Sequence, residues 1–177
     1  MRWVLGIAAL LVVLVVIVCF IGYMLPKSHV ATASARFAAP PDSIWRSLTD
    51  VAAFPAWRPG LSRVELLPDE NGHRGWREIG KHDAVTYRVV ESAPPRRLVT
   101  RIADQHLPYG GTWTYDLTPD GSGTRLTITE NGEVYNPIVR FVSRFIMGHT
   151  SMMETVLRAL GTRHGETIPP EPAGTAS

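Results

Sequence analysis

A chain of 177 residues, 45% of them hydrophobic, accommodates one ordinary domain and would make two cramped. A net charge of +2, with no stripe of Lys or Arg, gives no electrostatic footprint for nucleic acid, and none is expected as a partner. The single cysteine, Cys19, rules out an intrachain disulfide, which fits a reducing compartment without proving one.

The first predicted element is the strongest. From Trp3 to Leu25 the run "WVLGIAALLVVLVVIVCFIGYML" has 23 residues and no charge. As a helix it spans roughly 34 Å, enough for a hydrocarbon core of about 30 Å. Fifteen of these residues are Leu, Ile, Val or Phe, which favours insertion by on the order of 5 kcal/mol. Trp3 and Tyr23 stand near its ends, where amphipathic rings prefer the interface. The competing reading is a cleaved signal peptide, since Ala31-Thr32-Ala33 and Ala33-Ser34-Ala35 resemble cleavage sites. The run is far longer than a signal's apolar region of about 7 to 15 residues, and such a cut would enter the first strand. An uncleaved single-pass anchor is therefore expected. Arg2 and the terminal amine nearly balance Lys27 and Arg36 across it. The orientation stays open, with the cytoplasmic side favoured for the domain.

Pro26 closes the helix and a short tether follows. Residues 29–38 read as a strand. Pro40-Pro41-Asp42-Ser43 opens a helix with Asp42 or Ser43 as cap and Ile44, Trp45 and Leu48 as its apolar stripe. A second short helical turn begins at Asp50 and ends in "FPAWRPG". Strands follow in "SRVELLP", "RGWREIG", "AVTYRVVESAPP" and "RRLVTRIAD", separated by turn residues. "TWTYDLTPDGSGTRLTITE", residues 112–130, then reads as a hairpin. Its alternation puts Trp113, Tyr115, Leu117, Leu126 and Ile128 on one face. Residues 136–164 carry Ile138, Phe141, Val142, Phe145, His149, Met152, Met153, Val156 and Leu160 at three- and four-residue steps, predicting one long amphipathic helix. The tail "ETIPPEPAGTAS" has no apolar pattern and is expected to be disordered. The predicted division is an anchor over 1–27, a domain over 28–165 and a tail over 166–177. One strand, a helical pair, six strands and a long helix make an α+β fold, the helix covering one face of a curved antiparallel sheet.

Three stretches in this order resemble the START-like superfamily, in particular the polyketide cyclase/dehydrase-type binding proteins called SRPBCC. They are "ARFAAPPDSIWRSLTDVAAFPAWRPGLSRVELL" (35–67), "YRVVESAPPRRLVTRI" (87–102) and "GTWTYDLTPDGSGTRLTITENGEV" (111–134). With the final helix they cover residues 29 to 164. The resemblance implies the helix-grip fold, a curved seven-stranded antiparallel sheet around a long C-terminal helix with a cavity between them. In relatives that cavity binds lipids, hormones, quinones or polyketides, and a minority are enzymes. No universal catalytic motif comes with the family, so no catalytic residue is carried over.

The candidate cavity residues are Trp57, Trp76, Tyr87, Val89, Thr100, Ile102, Trp113, Tyr115, Leu126, Ile128, Glu130, Phe145, His149, Met152 and Met153. The buried hydroxyls of Tyr87 and Tyr115 need partners that a pocket supplies, although a filled core is the plainer account of any one aromatic. Glu130 belongs either to a solvated strand end or to the cavity mouth. His149 lies on an apolar stripe, where a satisfied core or rim histidine is the usual case. A Glu130–His149 pair would serve acid–base work if the two met. Methionines on the last helix suit either a core or a wall adapting to varied apolar ligands. The scattered histidines have no metal-ligand spacing, and neither a metal nor a cofactor is expected. Residues 121–123 form a hairpin turn and not a phosphate loop. The expected function is a membrane-anchored, monomeric binding protein for a hydrophobic small molecule or lipid. The alternatives are a cyclase, dehydratase or hydrolase in the same cavity, or an interaction module.

Overall fold

The computed structural model describes residues 2–81, 83–148, 150–169 and 171–172. The apolar run forms helix α1 (Arg2–Met24), whose residues 3–17 are exposed. It is long and apolar enough to cross a membrane. Strand β1 (Ser28–Phe37) follows almost at once, so the expected tether is only a few residues long. Helix α2 (Pro41–Thr49) begins with proline at its first position, and Pro40 caps it without a side-chain hydrogen bond. Neither Asp42 nor Ser43 is the cap, because proline's missing N–H and fixed φ suit the helix's first turn. Ile44 and Leu48 are buried as the stripe requires. A 3₁₀ turn (Val51–Ala56) completes the helical pair.

The strands β2 (Leu61–Glu70), β3 (His73–Gly80), β4 (Ala84–Ala93), β5 (Arg97–Ile102), β6 (Tyr109–Asp120) and β7 (Gly123–Val134) form an antiparallel meander. β1 closes it by pairing with β7, in register from Ser28 opposite Glu133 to Phe37 opposite Thr124. Asn71 and Gly72 both take positive φ in the β2–β3 turn, as a tight two-residue hairpin demands. The α+β helix-grip reading holds: a seven-stranded antiparallel sheet with a helix of the C-terminal region against it.

The long helix is not continuous. α3 (Pro137–Val142) passes into a π turn (Ser143–Met147), and α4 (Ser151–Arg163) is separate. Gly148, at φ 74°, ψ 154°, ends the first segment in a conformation most residues avoid. Three- and four-residue periodicity survives such a break, which is why the sequence reads as one helix. The two segments have different surroundings. Met153, Val156, Leu157 and Leu160 of α4 are buried against Ala31, Ala33 and Ala35 of β1 with Leu117, Leu126 and Ile128, whereas Ile138, Phe145 and Ile146 are exposed. Small alanines on β1 let α4 approach the sheet closely.

Beyond α4 several described residues pack on the domain. Glu166 accepts from the Ala38 backbone N–H at 2.9 Å, Ile168 is buried in the main core, and Glu171–Pro172 adds a two-residue strand, β8, against β1. The apolar contribution that escapes a periodicity search is one isoleucine, seated beside Gly161, where a Cβ would crowd its side chain.

Candidate functional site

The inner face of the sheet is filled at one end and hollow at the other. A cavity of about 340 Å³ lies between β3–β7, the 3₁₀ turn and the start of α4. That size falls at the lower end for small-molecule sites. Strand alternation puts Trp76 and Glu78 of β3, Val85 and Tyr87 of β4, Thr100 and Ile102 of β5, and Trp113 and Tyr115 of β6 on its wall. Glu130 of β7 sits directly opposite Trp113. Phe54, Trp57 and Arg58 close one side, and Met152 and Val156 of α4 close another.

Of the sequence candidates, Trp57, Trp76, Tyr87, Thr100, Ile102, Trp113, Tyr115, Glu130 and Met152 line this cavity. Leu126, Ile128 and Met153 do not: each is fully buried in the filled end, further along the same inner face. Val89 packs against both core clusters and borders a neighbouring groove. Phe145 is exposed and its ring lies tilted against Phe141, centroids 4.9 Å apart, away from the cavity, because it belongs to the π turn and not to α4. His149 lies outside the described residues.

The neighbouring groove, about 380 Å³, runs between α2 and strands β2–β4. Leu48, Trp76 and Leu98 line both spaces and form the partition between them.

The cavity's electrostatics centre on a pair that the sequence reading passed over. Arg58 Nη1 donates to Glu78 Oε1 at 2.6 Å, and Trp76 Nε1 donates to the same oxygen at 3.0 Å. Phe54 lies 4.8 Å beneath the guanidinium, a cation–π contact. Burial works most strongly against the Arg58 charge, but the Glu78 carboxylate together with the Tyr115 and Tyr87 phenols holds the guanidinium above its ordinary value. Glu78 was legible in principle: in "RGWREIG" it stands two residues after Trp76, on the same face. Arg58 follows a predicted cavity tryptophan but lies in a turn, where no periodicity gives its direction.

Tyr87 stacks on Trp76 with centroids 5.7 Å apart, and Tyr115 lies against Trp113 at 6.2 Å. Desolvation pushes both phenols well above the ordinary tyrosine value, so both are neutral hydroxyl donors and acceptors. Burial also raises Glu130 above its ordinary value, an effect that the Trp113 indole N–H opposes. Trp57 contributes a buried Nε1–H with no partner, the one such side-chain atom among the described residues. Its ring is held edge-on by Phe54 at 5.5 Å and covered by the Arg163 guanidinium at 5.8 Å. Among the described residues, no group of three or more His, Cys, Asp or Glu side chains is arranged to hold a metal ion.

An antiparallel sheet around a helix, with an aromatic-walled hollow between them, defines a helix-grip domain. The chain belongs to the polyketide cyclase / dehydrase and lipid transport family, whose profile matches residues 28–165. No curated protein matches it. Solved structures share the fold at low identity. The START superfamily protein of Mycobacterium smegmatis superposes with a TM-score of 0.61 at 20% identity, over 76% of this chain and 96% of that one. The Zhui aromatase/cyclase from Streptomyces sp. R1128 gives 0.59 at 16%, over 75% and 91%. The di-domain ARO/CYC StfQ of the steffimycin biosynthetic pathway gives 0.64 at 13%, over 78% and 52%, so this chain spans about half of that protein's length. At these identities the likeness is one of fold.

Proposed function

We propose that this chain is a membrane-anchored binding protein that holds a hydrophobic small molecule or lipid in the cavity between its sheet and α4. The observation that carries the reading is the composition of the hollow end: aromatic walls, two desolvated tyrosine hydroxyls, the Arg58–Glu78 pair and an unpartnered Trp57 N–H surround space that protein does not fill. Apolar walls supply affinity, and a few placed polar groups orient a ligand. The preferred ligand is an apolar, ring-bearing molecule with at least one hydrogen-bond acceptor. The family's range of lipid and polyketide partners is consistent with that chemistry.

The anchor reading is supported by how α1 joins the domain. Cleavage after Ala33 or Ala35 would remove residues 28–33 from the β1–β7 ladder and delete the buried Ala31 and Ala33. A cut at either of those alanine sites would therefore break the sheet.

Glu130 favours a second reading. A desolvated carboxyl facing neutral tyrosines is suited to proton transfer, so an acid–base enzyme of the cyclase or dehydratase kind fits the same cavity. The test of the first reading is native mass spectrometry of the full chain extracted in mild detergent. A co-purifying small molecule should be present in the wild type and lost in Thr100→Trp, which fills the hollow. A wild type that carries nothing beyond detergent and bulk lipid counts against the proposal.

A further inference from the structure

The surface that the cavity reading leaves unexplained lies where α1 meets the domain. Residues 3–17 of α1 are exposed, but Val18 and Cys19 are half-buried and Gly22 is buried, and the element they pack against is α3. A Cβ at Gly22 would collide with the Pro137 carbonyl. Arg140, only 6% exposed, fastens this joint. Its Nη1 donates to the carbonyls of Gly22 and Leu25, both at 2.9 Å, while Nε donates to Val134 O at 3.1 Å and Nη2 to Tyr135 O at 3.2 Å. The carbonyls at a helix's end have no partner in its own ladder, and a cation there complements the helix dipole. The Val134 N–H also donates to Lys27 O at 2.8 Å, and Ser28 already pairs with β7. No slack chain separates α1 from the domain.

Next to this rigid joint the α3–π-turn segment exposes apolar side chains: Ile138 at 45%, Phe145 at 59% and Ile146 at 72%. Residues 136–148 contain no acidic side chain, and Arg144 is exposed among them. We infer that the segment Pro137–Ile146 is a second membrane-contacting surface, with Phe145 and Ile146 sinking into the interfacial layer beside α1 while Arg144 reaches the headgroups. The inference rests on α1 being an anchor. Given that, the Arg140 clamp fixes which side of the domain meets the bilayer, and the side it presents is apolar with a basic fringe. Short amphipathic elements lie in the interface in this manner, and arginine extends its charge outward along its apolar stem. The consequence concerns the cavity. Met152, on the first turn of α4, lines it and is 59% exposed. It follows closely on this segment, so the cavity rim is carried at the bilayer surface. An apolar ligand then passes between membrane and cavity without crossing bulk water.

The test is site-directed spin labelling of the full chain in lipid nanodiscs, in a Cys19→Ala background. Labels at Ile146→Cys, Phe145→Cys, Leu14→Cys and Ser62→Cys are compared for collision with oxygen and with a water-soluble nickel chelate. The expected result is oxygen-favoured relaxation at Leu14→Cys and at both Ile146→Cys and Phe145→Cys, with the reverse preference at Ser62→Cys. Nickel-favoured relaxation at positions 145 and 146, with position 14 still oxygen-favoured, overturns the second surface and leaves the anchor standing. Nickel-favoured relaxation at position 14 overturns both.

Discussion

The two ends of one sheet face differ in a way that alternation alone does not express. At the filled end, Leu117 pairs with Leu126, and both meet Leu157 and Leu160 of α4 across the alanines of β1. At the hollow end, Trp113 pairs with Glu130, and the opposing side chains are Met152, Trp57 and Arg58, which reaches Glu78 on the sheet. Small and aliphatic residues allow sheet and helix to close. Large rings that also carry polar atoms close less completely against the layer opposite and leave space between them. Compact residues therefore make a core here, and bulky amphipathic ones border a hollow.

The largest expected effect breaks the hollow end's own support. Glu78→Ala leaves the buried Arg58 charge uncompensated and should cost about 3 to 5 kcal/mol in denaturant unfolding of the detergent-solubilised chain. At the filled end, Leu157→Ala should cost roughly 2 to 5 kcal/mol while leaving apolar-probe affinity unchanged, since Leu157 is fully buried and does not line the cavity. Trp113→Ala sharpens the contrast. It should cost well under the roughly 3 to 5 kcal/mol of a packed aromatic, because one side of the ring already faces open space, yet it should shift probe affinity measurably. A loss as large as that of a packed ring, with wild-type probe affinity in the surviving fold, would make the hollow end a core.

The smallest effect is one of pH. The folded Glu130 carboxyl titrates above its ordinary 4.5, so the native state holds its proton to higher pH than the unfolded chain does. Its contribution to stability is therefore complete below the unfolded value and is lost as pH rises through the folded value. Glu130→Gln should remove that decline and leave the variant relatively more stable at neutral pH. Denaturant midpoints measured across that window check the sign, and an unchanged pH profile would place Glu130 in solvent.

Most of the fold was legible because turn residues separate the strands of the meander and the β6–β7 hairpin alternates along its length. The C-terminal helix was read too long because Gly148 interrupts a periodicity that resumes in step after it. Trp113 and Tyr115 line the hollow, while Leu126 and Ile128, on the same sheet face, are buried in the filled end. Parity gives the face and not the position along it. Arg58 was missed for the opposite reason, since it lies in a turn where no repeat indicates direction. The Arg140 joint is the least legible feature: its acceptors at the end of α1 are backbone carbonyls more than a hundred residues away, which no side-chain pattern encodes.

The central claim is that the hollow end takes an apolar ligand, and photolabelling addresses it most directly. The full chain in nanodiscs would be irradiated with a membrane-soluble diazirine hydrocarbon, digested and mapped by mass spectrometry. The account predicts adducts on cavity-wall peptides containing Trp57, Trp113, Tyr115 or Met152 as well as on α1, with the cavity adducts lost in Thr100→Trp. Adducts confined to α1 and the exposed α3 segment would contradict it.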